Sequence, residues 1–329
     1  VAARLVQLQV VEYEHFAERS QGNRIRIEAV PPIRGLVFDR QGRVIAENLP
    51  AYQLELIPEQ VDDLDETLSR LAALDLIAAE DIPRLRELSQ SGPRFKPVAL
   101  NLRLDDEQIA RFAVERPRFA GVDFRPRLVR HYPAGEAIAH VVGYVGAMST
   151  RDLETLDTSR YAGTSQTGKT GVESSYESRL HGHSGYRHIV TNARGRHVPA
   201  ESRDLQESLP ADETALPGAN IYLSIDLDLQ KLATEKLREA IEIGEPEDTD
   251  ETGESGEAEE LIGSRGAVVA LDPRNGEILA LVSAPSFDPN LFAIGMSTTQ
   301  FSALQNDADR PLFNRAVRGT YPPGSTIKP

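Results

Sequence analysis

Near the end of the chain, two side chains have the types and the spacing needed for covalent catalysis. Ser325 and Lys328 form the only SxxK pattern of the sequence, within the stretch YPPGSTIKP. Side chains three positions apart on a helix share a face, so a neutral, desolvated lysine could take the proton of the serine hydroxyl and activate it as a nucleophile. The residues PPG before Ser325 predict a rigid approach to a helix start, where the backbone N–H of the serine could stabilise an oxyanion. Taken alone, SxxK is more typical of an ordinary helix N-terminus with a solvated lysine.

The stretch GTSQTGKTG, residues 163–171, fits two catalytic patterns at once. Gly163, Gly168, Lys169 and Thr170 satisfy the phosphate-loop pattern GxxxxGK[ST], and the triplet that begins at Lys169 also spells the KTG box of penicillin-recognising enzymes. A phosphate loop requires a buried strand before it and a helix after it, so that backbone N–H groups face the phosphates. Here the preceding segment has helical spacing, and the following one, GVESSYESRLHG, is short and polar. A P-loop NTPase is therefore only a remote alternative.

Composition and charge narrow the classes of function. The 329 residues are 40% hydrophobic, which is typical of a globular α+β protein with room for two domains. The net charge of −15 argues against a nucleic-acid partner, because such a partner requires a basic face. Residues 245–260 contain nine carboxylates and neither Lys nor Arg, which predicts a mobile surface loop. The absence of cysteine excludes disulfides and thiol catalysis.

Several other polar residues are predicted to have no catalytic role. His181, His183 and His188 lack a carboxylate or cysteine partner at metal-binding spacing. We therefore expect solvated loop histidines, and neither a metal site nor a cofactor. Arg34 and Gly35 are expected to support the fold rather than to contact a substrate.

The elements that would position these groups divide the chain near residue 218. In the first part, RGLVFDRQGRVIAEN predicts a β-hairpin that turns at DRQG. Residues 59–90 predict two helices, and Asp105 with Gln108 predicts a capped helix over LRLDDEQIARFAVE. VDFRPRLVRHYPAGE predicts an extended segment, and residues 198–219 predict a linker.

In the second part, ANIYLSID predicts a strand and LDLQKLATEKLREAIEI predicts an amphipathic helix. Helical spacing predicts that the inward-facing residues of this helix are Leu229, Leu232, Ala233, Leu237 and Ile241. RGAVVALDPRNGEILALVSAP predicts a second hairpin, so VVALD is expected to pair antiparallel and not in the parallel sheet that a phosphate loop requires. Asp39 and Asp272 occupy matching places in the two hairpins, where turn chemistry rather than catalysis explains both.

Six segments of the chain resemble, in the same order, segments of class B penicillin-binding proteins. They are RGLVFDRQGRVIAEN, RHYPAGEAIAHVVGYVG, GKTGVESSYESRLHG, LSIDLDLQ, GAVVALDPRNGEILALVSAPSFDPN and YPPGSTIKP. The similarity spans most of residues 20–329 and is closest to the elongation type around YPPGSTIKP, PSFDPN and AHVVGYVG. It implies an α+β fold with an elongated N-terminal pedestal domain over residues 1–217, which includes a head-like helical part at about 50–130. The first elements of a serine transpeptidase, β-lactamase-like α/β domain would follow over residues 218–329.

The resemblance also implies an activity, the D,D-transpeptidation of peptidoglycan during cell elongation. Ser325 would be the nucleophile that attacks the D-Ala-D-Ala bond of a stem peptide, and Lys328 would be its general base. An amine of a neighbouring strand would then resolve the acyl-enzyme, and β-lactams would acylate the same serine.

The same resemblance implies a set of partners and a location. The partners would be peptidoglycan stem peptides, glycan strands made from lipid-linked precursors, β-lactams, and the glycan polymerase and scaffold proteins of the elongation complex. The chain begins at Val1 without Met, and the resemblance implies a single membrane helix upstream of it. The bulk of the protein would then lie in the periplasm, anchored to the bacterial inner membrane, and the chain without the helix is expected to be soluble.

The chain departs from the family pattern in its catalytic motifs. Members need an SxN triad and a KTG box after SxxK, whereas this chain stops one residue beyond Lys328 and contains no SxN. The triplet at Lys169 precedes Ser325 and falls in the pedestal, so it is not the catalytic box. We therefore expect this chain to be inactive alone, and the alternative function is a non-catalytic pedestal that binds elongation partners. The acidic run 245–260 and the linker 198–219 are interpreted as insertions.

Overall fold

The computed structural model describes residues 25–91, 94–95, 97–157, 159–190, 210–244 and 265–321. Ser325, Lys328, the acidic run 245–260 and most of the predicted linker therefore lie outside the described residues. None of the described helices combines the length and the hydrophobicity needed to cross a bilayer.

A sheet of five strands forms the centre of the N-terminal part. The predicted hairpin is confirmed, because β2 (Val37–Phe38) pairs antiparallel with β3 (Val44–Leu56). Strand β3 is 13 residues long and also pairs antiparallel with β4 (Val98–Leu104) and β5 (Val122–His131), the predicted extended segment. The strand predicted from ANIYLSID is confirmed as β9 (Ile221–Tyr222), which adds to β2 in parallel. Strand β3 thus pairs with three of the other four strands of this sheet, and β9 is joined to it through β2.

Three helices and the adjoining ends of β3, β4 and β5 enclose the first hydrophobic core. The helices are α1 (Leu64–Ala73), α2 (Ile82–Ser91) and α3 (Asp106–Glu115), and all three predicted helices are confirmed. Asp105 and Gln108 form the predicted capping box at the start of α3. The largest fully buried side chains of this core are Leu54, Leu56, Leu68, Leu71, Leu76, Leu85 and Phe112.

The other elements of the N-terminal part are short. They are β1 (Ile25–Val30), α4 (Ala139–Val142), β6 (Val145–Ala147), α5 (Thr150–Thr155), β7 (Gln166–Gly168), α6 (Gly171–Ser175), α7 (Glu177–Leu180) and β8 (Gly185–Val190). Strand β1 pairs antiparallel with β8, and β6 pairs antiparallel with β7. A second core lies among these elements and includes Val37, Ile45, Tyr132, Ile138, Leu180 and Ile225.

The end of the predicted linker is a fixed part of the fold. Leu216 bridges to His183, and the neighbouring Gly218 packs so closely that a Cβ there would lie 1.8 Å from the carbonyl oxygen of Leu180. The linker prediction is therefore wrong for residues 210–219, because polar composition does not reveal backbone pairing with a distant segment.

Among the described residues that follow β9, the C-terminal part contains a long helix, a hairpin and three short helices. In chain order they are α8 (Leu227–Gly244), β10 (Gly266–Leu271), β11 (Ile278–Ala284), α9 (Pro289–Ile294), α10 (Thr298–Asn306) and α11 (Arg315–Arg318). Strands β10 and β11 pair antiparallel, which confirms the second hairpin. Helix α8 packs against this hairpin and is the predicted amphipathic helix.

The buried face of α8 differs from the prediction at one position. Leu232 is 51% exposed, whereas Gln230, which the hydrophobic spacing did not select, is completely buried. Leu229, Leu237 and Ile241 are partly buried, in line with the predicted face. Gln230 is buried because its amide bonds to backbone groups on two neighbouring segments, an arrangement that only the tertiary structure provides.

Candidate functional site

The structure describes the approach to the predicted catalytic pair but not the pair itself. Helix α11 and the residues up to Tyr321 are described, and Ser325 and Lys328 lie beyond them. The described residues include the GTSQTGKTG stretch and a buried cluster of charged side chains. They also include the contacts between the N-terminal and C-terminal parts.

Lys169 follows strand β7 and forms an ion pair within the N-terminal part. Its Nζ lies 2.5 Å from Oδ2 of Asp152, on helix α5. Hydrogen bonds from Lys169 and Ser149 lower the pKa of Asp152 to about 2. Strand β7 pairs antiparallel with β6, and the helix that follows the lysine has only five residues. This geometry does not form a phosphate loop, which needs a parallel strand and a substantial helix.

The glycines of the same stretch permit close backbone packing. A Cβ at Gly168 would lie 2.1 Å from the carbonyl oxygen of Glu173. Gly171 has a φ of +59°, and a Cβ there would lie 2.7 Å from the carbonyl oxygen of Val141. The GKTG residues therefore join β7, α6 and α4, which gives this segment a structural role.

Four charged side chains, Arg34, Arg130, Glu173 and Glu177, form a buried ionic cluster. Arg34 lies between the two carboxylates, with N–O distances of 2.6 Å to Glu173 and 2.5 Å to Glu177. Arg130 donates to the other carboxylate oxygen of Glu173 at 2.7 Å. The side chain of Glu173 is completely buried and that of Arg130 is 2% exposed. Two positive and two negative charges neutralise each other, which limits the cost of removing them from water.

Further hydrogen bonds connect the ionic cluster to distant segments. Asn48 donates to the carbonyl oxygen of Arg34 at 2.7 Å. The hydroxyl of Tyr132 donates to Glu173 at 3.4 Å and accepts from the backbone N–H of Val145 at 3.0 Å. Burial and the neighbouring charge of Glu173 raise the pKa of Tyr132 well above its ordinary value, so the phenol stays protonated. The predicted structural role of Arg34 is confirmed.

Gly35, Asp39 and Asp272 also have the structural roles predicted for them. A Cβ at Gly35 would lie 2.0 Å from the carbonyl oxygen of Ala219. Asp39 Oδ1 accepts from two backbone N–H groups of its own turn, both at 2.8 Å. Asp272 accepts from the backbone N–H of Arg274 at 3.0 Å in the second hairpin.

His181 does not fit the prediction of a solvated loop histidine. It is 3% exposed, its ring stacks on Tyr161 at 3.9 Å, and its Nε2 lies 3.0 Å from the hydroxyl of Thr164. Burial lowers the pKa of His181 to about 4, so the ring is neutral at pH 7. His188 lies partly buried in β8, which also departs from the prediction, whereas His183 is exposed as expected. Across the described ranges, no three His, Asp or Glu residues are grouped as metal ligands would be.

Neutral side-chain amides join the N-terminal part to the C-terminal part. The amide of Gln230 donates to the carbonyl oxygens of Ala137 at 2.7 Å and Leu281 at 2.9 Å, and it accepts from the N–H of Leu281 at 2.7 Å. Asn290 accepts from the N–H of Tyr132 at 2.9 Å and donates to its carbonyl oxygen at 3.1 Å. Each amide therefore satisfies both groups of a backbone segment.

Two further amides cross the same boundary. Gln166 donates to the carbonyl oxygen of Ala293 at 2.8 Å, and Asn314 donates to that of His140 at 3.1 Å. We call the four residues Gln166, Gln230, Asn290 and Asn314 the amide junction. None of the four was predicted from the sequence. The one signal that could have indicated a buried amide was the polar Gln230 beside the apolar positions of α8.

The chain matches two protein families in succession. Residues 29–223 match the family described as Penicillin-binding Protein dimerisation domain. Residues 266–329 match the family described as Penicillin binding protein transpeptidase domain.

Curated relatives are similar over the whole of this chain. It is 40% identical over 331 residues to the peptidoglycan D,D-transpeptidase MrdA of Escherichia coli strain K12, and 38% identical over 329 residues to the MrdA of Acinetobacter baumannii. These matches cover 99% and 100% of this chain but 47% and 44% of the two relatives. The chain thus spans just under half the length of the curated relatives it matches.

Among solved structures, the fold is similar to that of a penicillin-binding protein, PBP2, in its complex with MreC from Helicobacter pylori. The TM-score is 0.64 with 26% sequence identity, and the match covers 92% of this chain and 51% of that chain.

Proposed function

The chain belongs to the class B penicillin-binding proteins, which join a dimerisation domain to a transpeptidase domain, and we propose that the full-length protein is a peptidoglycan D,D-transpeptidase of cell elongation. The observation that supports this proposal most is the order of the parts. The dimerisation match comes first, and Ser325 and Lys328 fall within the transpeptidase match that follows it. We propose a domain boundary near residue 218, with a pedestal over residues 1–217.

In the proposed reaction, Ser325 is the nucleophile and Lys328 is the general base. The neutral lysine amine takes the hydroxyl proton while the serine oxygen attacks the carbonyl carbon between the last two D-alanines. Backbone N–H groups stabilise the oxyanion, and the terminal D-alanine leaves as the amine that receives the proton. An amine of a neighbouring stem peptide then attacks the serine ester, which forms the cross-link and frees Ser325. A β-lactam acylates the same oxygen when its ring opens.

Labelled penicillin tests this proposal on the full-length protein. We expect a covalent adduct that peptide mapping by mass spectrometry assigns to Ser325. Ser325→Ala should abolish the adduct, and Lys328→Gln should slow its formation by roughly 10²–10⁴-fold because the proton acceptor is lost.

The exposed serine Ser178 provides the matched control. Ser178→Ala should leave the rate and the position of labelling unchanged. A full-length protein that folds but acquires no label, or acquires it at another residue, would rule out the proposed nucleophile.

As a second function, we propose that the pedestal binds a scaffold protein of the elongation complex. The supporting observation is the similarity to a PBP2 whose structure was solved in complex with MreC. Because this function would reside in the pedestal, Ser325→Ala should still bind the MreC homologue of the same organism in a titration of the purified proteins. Loss of binding with that variant, when it is folded, would contradict a separate docking function.

We further propose that the protein acts in the periplasm and is held at the inner membrane by a helix upstream of Val1. Peptidoglycan strands are cross-linked outside this membrane, so the serine has to face that compartment. Protease protection of the full-length protein in spheroplasts tests the orientation. Cleavage of the pedestal by external protease is expected, and complete protection would contradict the proposal.

A further inference from the structure

Helix α11 is the last described element before the proposed catalytic serine. It begins at Arg315, ten residues before Ser325, and ends at Arg318. Three residues, 319–321, separate it from Pro322 and Pro323. Only six residues separate the end of α11 from Ser325, so a displacement of this helix has a short path along the chain to the proposed nucleophile.

Asn314 has two roles at the start of α11. Its side-chain oxygen accepts from the backbone N–H of Val317 at 3.3 Å and caps the helix. Its side-chain nitrogen donates to the carbonyl oxygen of His140, on pedestal helix α4, at 3.1 Å. The first bond is local to the helix, whereas the second spans 174 residues of sequence and joins the two parts of the molecule.

The residues on either side of Asn314 attach the start of α11 to the hairpin of β10 and β11. Ser283, 3% exposed on β11, accepts from the backbone N–H of Arg315 at 3.0 Å and donates to the carbonyl oxygen of Phe313 at 3.2 Å. The buried guanidinium of Arg315 donates to the carbonyl oxygens of Arg310 at 3.1 Å and of Asp309. The start of α11 is thus held on the transpeptidase side by several bonds.

The pedestal side of the contact is also well fixed. The ring of His140 packs edge-on against Phe287 at a centroid distance of 5.3 Å. Tyr144, four residues further along the chain, stacks on Phe292 at 3.9 Å. Both aromatic partners belong to the C-terminal part, so the carbonyl group that Asn314 binds lies in a packed interface rather than at a free surface.

We propose that Asn314 is a positioning residue for the transpeptidase reaction, and that its bond to the His140 carbonyl sets the start of α11 relative to the pedestal and thereby the placement of Ser325. This inference rests on the proposed function. It goes beyond helix capping, because it gives the pedestal a direct contact with the segment that leads to the nucleophile. The proposed role acts through the placement of Ser325 and requires no contact between Asn314 and the substrate.

Replacing Asn314 by Asp separates capping from the pedestal contact. Aspartate is a good N-cap, and its charge is favourable at a helix N-terminus, so the helix should keep its stability. The carboxylate cannot donate to the His140 carbonyl, so the bond to the pedestal is lost. Asn314→Ala removes both the cap and the bond. Asn306→Asp, which makes the same chemical change at an exposed position at the end of α10, is the matched control.

The measurement is the acylation rate of each full-length variant at several concentrations of labelled penicillin, together with its thermal unfolding midpoint. We expect Asn314→Asp to lower the limiting acylation rate about tenfold, because small misplacements of a reacting group have large kinetic effects. The half-saturating concentration and the unfolding midpoint should match those of Asn306→Asp. Asn314→Ala should show the same loss of rate and a lower midpoint.

Two results would overturn this role. Wild-type acylation rates in Asn314→Asp would show that the pedestal bond does not position the serine. A rate and a midpoint that fall together in Asn314→Asp, including failure to fold, would show that the bond is only structural. Absence of acylation in the wild-type protein would instead reject the proposed function and is thus distinguishable from both.

Discussion

Two polar regions, a buried one and a partly buried one, join distant segments of the described chain, and they differ in chemistry. The ionic cluster lies within the pedestal and consists of two arginines and two glutamates. The amide junction lies between the pedestal and the transpeptidase part and consists of neutral glutamine and asparagine side chains that bind backbone groups. Burying a charge costs far more than burying an amide, so the two regions should respond differently to mutation and to pH.

The difference follows from what each region connects. The ionic cluster joins segments of one domain, and its charges are compensated only when all segments are in place. Two amides of the junction bind both the N–H and the carbonyl group of a backbone residue, and the other two bind one backbone carbonyl group each. None of them introduces a net charge. We infer that the pedestal core is an all-or-none structure, whereas the contacts of the junction can be removed one at a time.

The largest expected effect is the loss of the central carboxylate of the ionic cluster. Glu173→Gln leaves Arg130 without a charged partner and Arg34 with only Glu177. Removing one partner of a buried ion pair typically costs about 3–5 kcal/mol. Urea unfolding monitored by circular dichroism should show a loss of this size, whereas Glu154→Gln, at an exposed position on α5, should change little. Equal stabilities of the two variants would refute the all-or-none interpretation.

A smaller loss is expected at the centre of the amide junction. Gln230→Leu keeps the volume of the side chain but leaves the Leu281 N–H and the Ala137 carbonyl oxygen without their partner. Unsatisfied buried groups of this kind cost about 2–3 kcal/mol in total. Limited proteolysis should detect earlier separation of the two parts, while Gln90→Leu, at an exposed position on α2, serves as the control. A loss as large as that of Glu173→Gln would remove the distinction between the two regions.

One buried histidine in each region makes stability depend on pH. Burial lowers the pKa of His140, at the junction, and that of His181, beside the ionic cluster, to about 4. An unfolded histidine titrates near about 6.5, so between these two values the unfolded chain binds protons that the native chain does not. The free energy of unfolding should therefore fall as the pH is lowered from 6.5 towards 4, by about 2 kcal/mol per histidine between pH 7 and pH 5.

Variants assign this pH dependence to the two regions. His140→Gln and His181→Asn should each flatten the dependence of the unfolding midpoint on pH in this range. His183→Gln, at an exposed position, should leave the slope unchanged. A slope that is the same in all three variants would mean that neither buried histidine controls the acid sensitivity.

The sequence predicted local elements well and long-range partners poorly, for a physical reason. The capping box at Asp105 and the hairpin turns at Asp39 and Asp272 depend on neighbours within a few residues, and all three are present as expected. Arg34 and Glu173 are 139 residues apart, and no local pattern indicates that they meet. The burial of His181 likewise depends on a ring stack with Tyr161 that the sequence does not reveal.

Only those residues of the candidate site that belong to a short sequence motif could be predicted from the sequence. Ser325 and Lys328 were selected by spacing and by resemblance, and their roles stay predictions because they lie outside the described residues. The contacts of Gln230, Asn290 and Asn314 with the N-terminal part could not be predicted, because an isolated amide in a sequence does not indicate which backbone it binds. The buried face of α8 was misassigned for the same reason, because Gln230 is buried by bonds to distant backbone groups that hydrophobic spacing does not reveal, whereas Leu232 is exposed.

The smallest expected effect concerns a surface ion pair that matches the ionic cluster in distance. Arg86 and Asp65 join α2 to α1 with an N–O distance of 2.6 Å, the same as that between Arg34 and Glu173. Their side chains are 46% and 60% exposed, so water screens the pair, and such pairs contribute about 0–1 kcal/mol. Asp65→Asn should therefore change the unfolding free energy several-fold less than Glu173→Gln, and added salt should remove even that difference. If the two variants lost equal stability, distance rather than burial would decide the strength of these pairs, and the contrast between the ionic cluster and the rest of the molecule would fail.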